Sequence, residues 1–205
     1  MAKKMKIEKL DLCKQFKSEY VTPKDPVFVI VGPAKYLSIT GHGAPGGEHF
    51  REHISALYSV AFTLKMAEKF AGHDYKVCHL EGQWWAEDGS DFRDHQPEEW
   101  QWRLLIRVPK FITQKHVSEA IQAVMKKGKA ALADQIRLEE LKEGRCVQML
   151  HIGPYAQECA TVNKMQELVE AKGLHFRGPH HEIYLSDPNR VAAERLRTIL
   201  RYPIE

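Results

Sequence analysis

The sequence lacks any long hydrophobic run. No stretch of about 18 apolar residues occurs along its 205 residues, so no membrane-spanning helix is predicted. The opening letters, MAKKMKIEKLDL, contain neither a continuous apolar core nor a small-residue cleavage site, which argues against a secretory signal. With 43% hydrophobic and 28% charged residues, the composition is that of an ordinary globular protein. We therefore expect a cytoplasmic protein with no membrane partner.

Cysteine is scarce and dispersed. The four cysteines contain no C-x-x-C pair, so neither a disulfide framework nor a thiolate zinc site is predicted, and mostly buried, reduced thiols are expected: Cys13, Cys78, Cys146 and Cys159. The net charge is only +3 and the basic residues are interleaved with acids. No basic stripe is present that would bind phosphates, so a nucleic-acid partner is not expected.

Familiar nucleotide-binding and serine hydrolase motifs are also missing. The sequence contains no G-x-x-x-x-G-K-[ST], G-x-G-x-x-G or G-x-S-x-G. The letters HFREH at 49–53 do fit the zinc pattern H-x-x-E-H, and His49 and His53 would share a helix face. No downstream helix offers an obvious third ligand, however. A partly exposed helix end is the simpler interpretation, and no metal or cofactor is predicted.

Periodicity predicts the secondary structure of the first half. Strands are indicated at 27–31 and 36–43, and a long helix is indicated at 48–71. Two aromatic-rich strands, at 75–86 and 99–109, form an antiparallel hairpin with a long polar loop. A helix is expected at 113–127 with Thr113 as its cap, and a second helical stretch at 131–143.

The second half repeats this order as a strand at 145–153, a helix at 155–172 and strands at 180–188 and 195–203. The fold class is therefore α+β, with two β-α-β-β modules that form one antiparallel sheet, helices on one face and a cleft between the halves. We expect a loosely attached N-terminal arm at 1–22 and a single domain at 23–205. Within that domain, the first module is 27–110, the connector 111–143 and the second module 144–205.

Several motifs carry a resemblance to a known family: LEGQWW, WQWRLLIRVP, QMLHIGPYAQE and HHEIYLSDPNR followed by LRTILRYP. Together they resemble the GyrI-like small-molecule-binding family over residues 27–205. The resemblance implies a cleft with aromatic walls around a buried Glu, and affinity for lipophilic, often cationic, molecules. The tryptophans of LEGQWW and WQW resemble members that hydrolyse cyclopropane-bearing toxins. Enzymatic detoxification is thereby implied as well as multidrug binding.

Glu182 is the leading candidate for the catalytic residue. Alternation in HHEIYLSD places it on one strand face with His180 and Tyr184, while His181 and Ile183 point the other way. We expect the Ile183 face to pack on the helices and Glu182 to face the groove, where burial would raise the pKa of its carboxyl unless a partner holds it ionised. Such a group can pair with a cation or deprotonate water. A solvent-exposed edge-strand Glu is the plainer alternative.

The remaining candidates are Tyr155, several aromatic residues and two further polar residues. Tyr155, after Gly153-Pro154, either donates a hydrogen bond in the cleft, as the resemblance implies, or packs on the core. All four tryptophans lie in one hairpin, and at least two should simply fill the core. The expected ligand-binding residues are Trp84, Trp102, Tyr58, Trp85, Tyr184 and His180. Glu81 is a second candidate acid for which a surface ion pair is the simpler interpretation, and His151 is expected to be structural.

The sequence is compatible with three functions. The first is hydrolysis of a strained, electrophilic small molecule, with Glu182 as the base and Tyr155 as a hydrogen-bond donor. The second is a non-catalytic module that binds or sequesters a drug-like ligand. The third, a gyrase-modulating protein, is suggested only by the name of the family.

Overall fold

The structure of the protein is a computed structural model, and it describes residues 9–128 and 130–205. The helices are α1 (Leu12–Gln15), α2 (Lys17–Tyr20), α3 (Glu48–Phe70), α4 (Gln114–Lys126) and α5 (Cys159–Glu170). The strands are β1 (Val27–Val31), β2 (Ala34–His42), β3 (Leu80–Trp85), β4 (Gln101–Val108), β5 (Arg137–Leu141), β6 (Gly144–Ile152), β7 (His180–Tyr184) and β8 (Arg197–Pro203).

All eight strands form one antiparallel sheet in the order β1-β6-β8-β7-β3-β4-β2-β5. The order is symmetric about the β7–β3 pair, so β3, β4, β2 and β5 correspond to β7, β8, β6 and β1. The α+β class and the duplicated β-α-β-β order are confirmed. Each half also begins with a further strand, β1 in the first half and β5 in the second. Each of these strands pairs with a strand of the other half, because β1 pairs with β6 and β5 pairs with β2.

The prediction of a helical stretch at 131–143 is wrong. Residues Ala133–Gln135 form one 3-10 turn, and Arg137–Leu141 then form β5 at the edge of the sheet. The run of Leu, Glu and Lys favours a helix locally. Pairing with β2 overrides that preference, because five consecutive residues of β5 align with Ala34–Ser38. The other predicted helix of this region is observed as α4, capped by the Thr113 hydroxyl, which accepts a hydrogen bond from the His116 N–H.

The main core lies between the first half of the sheet and helices α3 and α4. Its members include Leu37, Leu57, Leu64 and Trp102, each almost completely buried. A smaller core in the second half joins Met165 of α5 to Leu200 of β8. Both cores are on the same face of the sheet, on either side of the β7–β3 pair where the two halves meet.

The opposite face of the sheet is covered by the N-terminal segment, residues 9–22. Tyr20 packs on Ile183 and Ile199, and its hydroxyl donates a hydrogen bond to Glu81 Oε1 at 2.8 Å. Glu19 forms a buried ion pair with Arg107 at 2.6 Å. The expectation of a loosely attached arm is therefore wrong for residues 9–22, whereas residues 1–8 lie outside the described part of the chain.

A buried charge network lies beneath the N-terminal segment. Arg201 donates to Glu143 Oε2 at 2.9 Å, to Gln148 Oε1 and to the Glu19 carbonyl at 2.6 Å. Glu143 also accepts from His181 at 2.8 Å. Although burial opposes the charge, the carboxylates of Glu143 and Glu81 raise the pKa of His181 to about 9. The network thus fixes charged groups from β3, β7, β8 and the N-terminal segment in one place.

Across residues 9–128 and 130–205, no helix is both long enough and apolar enough to cross a membrane.

Candidate functional site

Strand register places Glu182 on the helix-bearing face of the sheet. It lies directly opposite Gly82 of β3 and Leu200 of β8. Directly opposed residues of antiparallel strands share a face, and Leu200 packs against α5. Glu182 therefore shares the face that packs on the long helices, contrary to the expectation that Ile183 and its neighbours would occupy it. Ile183 packs instead on Tyr20, at the end of the short helix α2 on the other face of the sheet.

Glu182 lies at the centre of the molecule, where the two halves meet as β7 pairs with β3. Only 7% of its surface is exposed. His180, on the same strand face, brings Nε2 to 3.3 Å from Glu182 Oε1 and is itself buried. The His180 ring stacks on Phe92 and contacts Tyr202, which fixes its orientation. The alternative of an exposed edge-strand Glu does not describe this residue.

Glycine at position 82 makes room for the aromatic groups around Glu182. A Cβ at this position would lie 2.8 Å from the Tyr184 hydroxyl and 3.1 Å from Trp84 Nε1. The Tyr184 phenol therefore lies over Gly82, beside both the Glu182 carboxylate and the Trp84 indole. Burial, followed by the charge of Glu182, raises the pKa of Tyr184, so its phenol stays protonated and can donate a hydrogen bond.

A second carboxylate faces Glu182, and sequence reasoning missed it. Glu158 lies at the start of α5 with 9% of its surface exposed, and its ligand atom is within 4.8 Å of those of His180 and Glu182. Burial, followed by repulsion from Glu182, raises the pKa of Glu158 well above the usual value. Glu158 therefore holds its proton more tightly than an ordinary carboxyl. The sequence feature that could have revealed Glu158 is its position at the beginning of a predicted helix, three residues after the candidate Tyr155.

Tyr155 lies at the outer edge of this group. It begins a 3-10 turn that leads into α5, its surface is 39% exposed, and its ring centroid is 5.8 Å from that of Tyr184. Burial, followed by the charges of Glu182 and Glu158, raises the pKa of Tyr155 to about 12. The phenol is thus a hydrogen-bond donor near both carboxylates over the whole neutral range. His151, predicted to be structural, contacts Thr161 and the Pro154 carbonyl and so ties this turn to α5.

The predicted ligand-binding aromatics fall into two groups in the structure: Trp84 with Tyr58, and Trp102 with Trp85. Trp84, on the same face as Glu182, stacks with Phe50 at 5.8 Å, and Tyr58 of α3 lies near Leu80 at the start of β3. Trp102 is completely buried and fills the space over Gly41, where a Cβ would lie 2.2 Å from its indole, so it belongs to the core. Trp85 is the next residue after Trp84 in β3, and alternation directs it to the opposite face. Neither Trp102 nor Trp85 is brought together with Glu182.

The other candidate residues have structural surroundings. Glu81 is a completely buried acid rather than a surface ion-pair partner, and it contacts Tyr20 and His181 on the face away from Glu182. His53 is also buried instead of partly exposed, because it packs edge-on against Trp102 while its Nδ1 contacts the His49 carbonyl.

One group of side chains in the described part of the chain has the geometry to hold a cation. Glu158, His180 and Glu182 each contribute one ligand atom, all within 4.8 Å of one another. Glu158 Oε1 and His180 Nδ1 have no hydrogen-bond partner among the described residues. Two carboxylates and an imidazole in buried surroundings can bind a cation, share a proton, or activate and orient a water molecule.

The chain is similar to known proteins along almost its whole length. Residues 24–205 match the GyrI-like small molecule binding domain. A conserved uncharacterized protein from Listeria innocua is 34% identical, with a TM-score of 0.89 over 96% of this chain and 100% of its own. A hydrolase from Listeria innocua is 32% identical, with a TM-score of 0.88 over 97% and 100% of the two chains.

A more distant structure shares the fold alone. The EcmrR C-terminal domain is 10% identical, with a TM-score of 0.61 over 88% of this chain and 97% of its own. A comparison with curated proteins finds no match. Because the family match covers nearly the whole chain and the Listeria structures superpose along their full length, the protein belongs to the GyrI-like small molecule binding domain family.

Proposed function

We propose that the protein hydrolyses small, lipophilic molecules that carry a strained electrophilic ring of the cyclopropane type. The observation that carries this proposal is the pair of buried carboxylates, Glu182 and Glu158, held on the helix face among tyrosine and tryptophan side chains. The Listeria relative described as a hydrolase supports the reaction class. The aromatic groups supply contact area for an apolar or cationic ligand.

The two carboxylates have different roles in the proposed reaction. Glu182 accepts a proton from a water molecule as the water oxygen bonds to a ring carbon of the substrate. The C–C bond of the ring breaks, and its electron pair moves to an electron-withdrawing group of the substrate. Glu158, whose pKa is raised, donates a proton to the negative charge that develops there. Tyr155 donates a hydrogen bond to the water or to this charge.

A non-catalytic binding module is the competing function, because the same two carboxylates would also attract a cationic ligand. Prolonged incubation with a cyclopropane-bearing compound, followed by mass spectrometry, separates the two functions. Hydrolysis adds one molecule of water to the compound, over many turnovers per protein. If the compound is recovered unchanged although calorimetry shows that it binds, the protein is a binding module.

Glu158→Gln should remove the alkaline limb of the pH–rate profile. Burial and the charge of Glu182 raise the pKa of Glu158, so its carboxyl stays protonated to a higher pH than an ordinary carboxyl, and the wild-type rate should fall as pH rises through that pKa. An amide cannot donate an ionisable proton, so the variant should be slower by about 10²-fold and its rate should no longer fall at high pH. Glu167→Gln, at an exposed position of the same helix, is the matched control. An unchanged alkaline limb in Glu158→Gln would rule out the proton-donor role.

A further inference from the structure

Two buried carboxylates on the helix face of the sheet form no ion pair with a lysine or arginine among the residues that the structure describes. Glu158 Oε1 has no hydrogen-bond partner there, and Glu182 pairs with His180. In contrast, the buried carboxylate of Glu143 pairs with Arg201. A buried carboxylate is costly unless a positive charge or a proton compensates it. Glu158 and Glu182 together therefore favour a cation taken up from solution.

The imidazole of His180 completes a group of three possible ligands. His180 Nε2 lies 3.3 Å from Glu182 Oε1, and one ligand atom of each of the three residues lies within 4.8 Å of the other two. Metal bonds of about 2.1 Å place the ligands of a tetrahedral ion about 3.4 Å apart. The His180–Glu182 pair already has this spacing, so a movement of the Glu158 carboxylate by at most about 1.4 Å would complete the set.

The fold holds two of the three ligands in position. His180 and Glu182 are on β7, and its pairing with β3 and β8 fixes their spacing. The ring centroid of His180 is 5.5 Å from that of Phe92 and 4.7 Å from that of Tyr202, which orients the imidazole. The third ligand, Glu158, is buried at the start of α5, and its Oε1 breaks no hydrogen bond to another described residue when it turns toward an ion.

The donor atoms indicate a transition-metal ion rather than Mg²⁺ or Ca²⁺. Imidazole nitrogen and carboxylate oxygen are both common ligands of Zn²⁺. Mg²⁺ and Ca²⁺ instead take six or more ligands, nearly all of them oxygen. Three protein ligands suit a four-coordinate Zn²⁺ whose remaining position is open to water.

We propose that Glu158, His180 and Glu182 bind one divalent transition-metal ion, with Zn²⁺ as the ion that fits best. His180 binds through Nε2 and keeps its proton on Nδ1, and each carboxylate supplies one oxygen. The ion neutralises both carboxylates and joins α5 to β7. Because it binds only the folded protein, it should also raise Tm.

A bound ion should inhibit the proposed hydrolysis. With its carboxylate on the metal, Glu182 can no longer accept a proton from water, and Glu158 can no longer donate one. Turnover should fall by about 10²-fold or more when zinc saturates the site, as expected for loss of a general base. This consequence rests on the proposed function, whereas the metal site does not.

Calorimetric titration of the full chain with ZnCl₂, after treatment with EDTA and dialysis, tests the site. One ion should bind per chain, and MgCl₂ and CaCl₂ should bind at least about 10-fold more weakly. Glu158→Gln, His180→Gln and Glu182→Gln should each weaken zinc binding by at least about 10²-fold, since loss of even an outer-shell partner costs 10- to 10²-fold. Melting curves in EDTA show whether each variant is folded, and zinc should raise the Tm of the wild type alone.

Two variants control for other groups of the chain that attract zinc. His49→Gln removes one ring from the group of His42, His49 and His53, in which the His49 centroid is 5.9 and 4.3 Å from the other two. Cys159→Ser removes the exposed thiol next to Glu158. Both variants should bind zinc with wild-type affinity. The proposal is overturned if zinc does not bind, if the three ligand variants bind it as tightly as the wild type, or if His49→Gln abolishes binding.

Turnover measured on the same samples separates this proposal from the proposed function. Zinc binding that requires all three ligands but leaves turnover unchanged would contradict the roles of Glu158 and Glu182 in hydrolysis, and the metal site would stand. Turnover that requires Glu182 in a chain that binds no zinc would contradict the metal site alone.

Discussion

Glu182→Gln is expected to lower the rate of substrate hydration by about 10²- to 10⁴-fold, the range that a positioned general base contributes. The amide keeps the shape of the carboxyl but cannot take a proton from water. Glu182 is buried and contacts His180, and the amide can still form a neutral contact there. Ligand binding by an uncharged compound should therefore change much less than the turnover rate, which steady-state kinetics and calorimetry measure separately.

The control for this variant is Glu139→Gln, which alters a half-buried acid that pairs with Arg103 and lies on β5, the edge strand four positions from β7 in the strand order. It should retain the wild-type rate. Turnover by Glu182→Gln at the wild-type rate would show that this carboxylate is not the base. A cationic compound provides a further comparison, since its affinity should fall when the charge at position 182 is removed.

Arg201→Met is expected to lower the free energy of unfolding by about 3 to 5 kcal/mol, the usual cost of removing one partner from a buried ion pair. Arg201 is 1% exposed and donates to Glu143, Gln148 and the Glu19 carbonyl. Methionine fills much of the same volume but leaves these acceptors without their donor. Denaturant unfolding monitored by tryptophan fluorescence measures the loss.

Arg197→Met, on the same strand, is the matched control, because Arg197 is exposed. Its effect should stay within about 0.5 kcal/mol, as is usual for surface substitutions. Equal stability of Arg201→Met and Arg197→Met would contradict the assigned role of the buried network. Hydrogen exchange should also locate the damage, with faster exchange in residues 12–20, which rest on this network.

Much of the fold could be predicted because the hydrophobic pattern is regular. The apolar spacing of α3 and the alternation of β2, β4, β6 and β8 agree with the observed elements within a few residues. The edge strand β5 could not be predicted, since its sequence favours a helix and only pairing with β2 stabilises the strand. Which face of β7 meets the long helices could not be predicted either, because Tyr20 of the N-terminal segment covers the Ile183 face and the letters of the strand do not show this.

The candidate site could be predicted only along one strand. Alternation groups His180, Glu182 and Tyr184 from nine consecutive letters, and the structure places all three on one face. Glu158 is brought to Glu182 by the packing of α5 on the sheet, so no local pattern reveals the pair. The tryptophans show the same limit, because alternation separates Trp84 from Trp85 but does not reveal that Trp102 is fully buried over Gly41.

A crystal structure of Glu182→Gln with a cyclopropane-bearing compound bound tests the central claim most directly. The account predicts that the strained ring lies beside position 182, with Glu158 and the Tyr155 hydroxyl within hydrogen-bonding reach of the reacting end and Trp84 or Tyr184 against the ring system. A compound bound elsewhere, such as in the 330 Å³ depression lined by Phe62 and Val124 along α3 and α4, with no contact to Glu158, would contradict it.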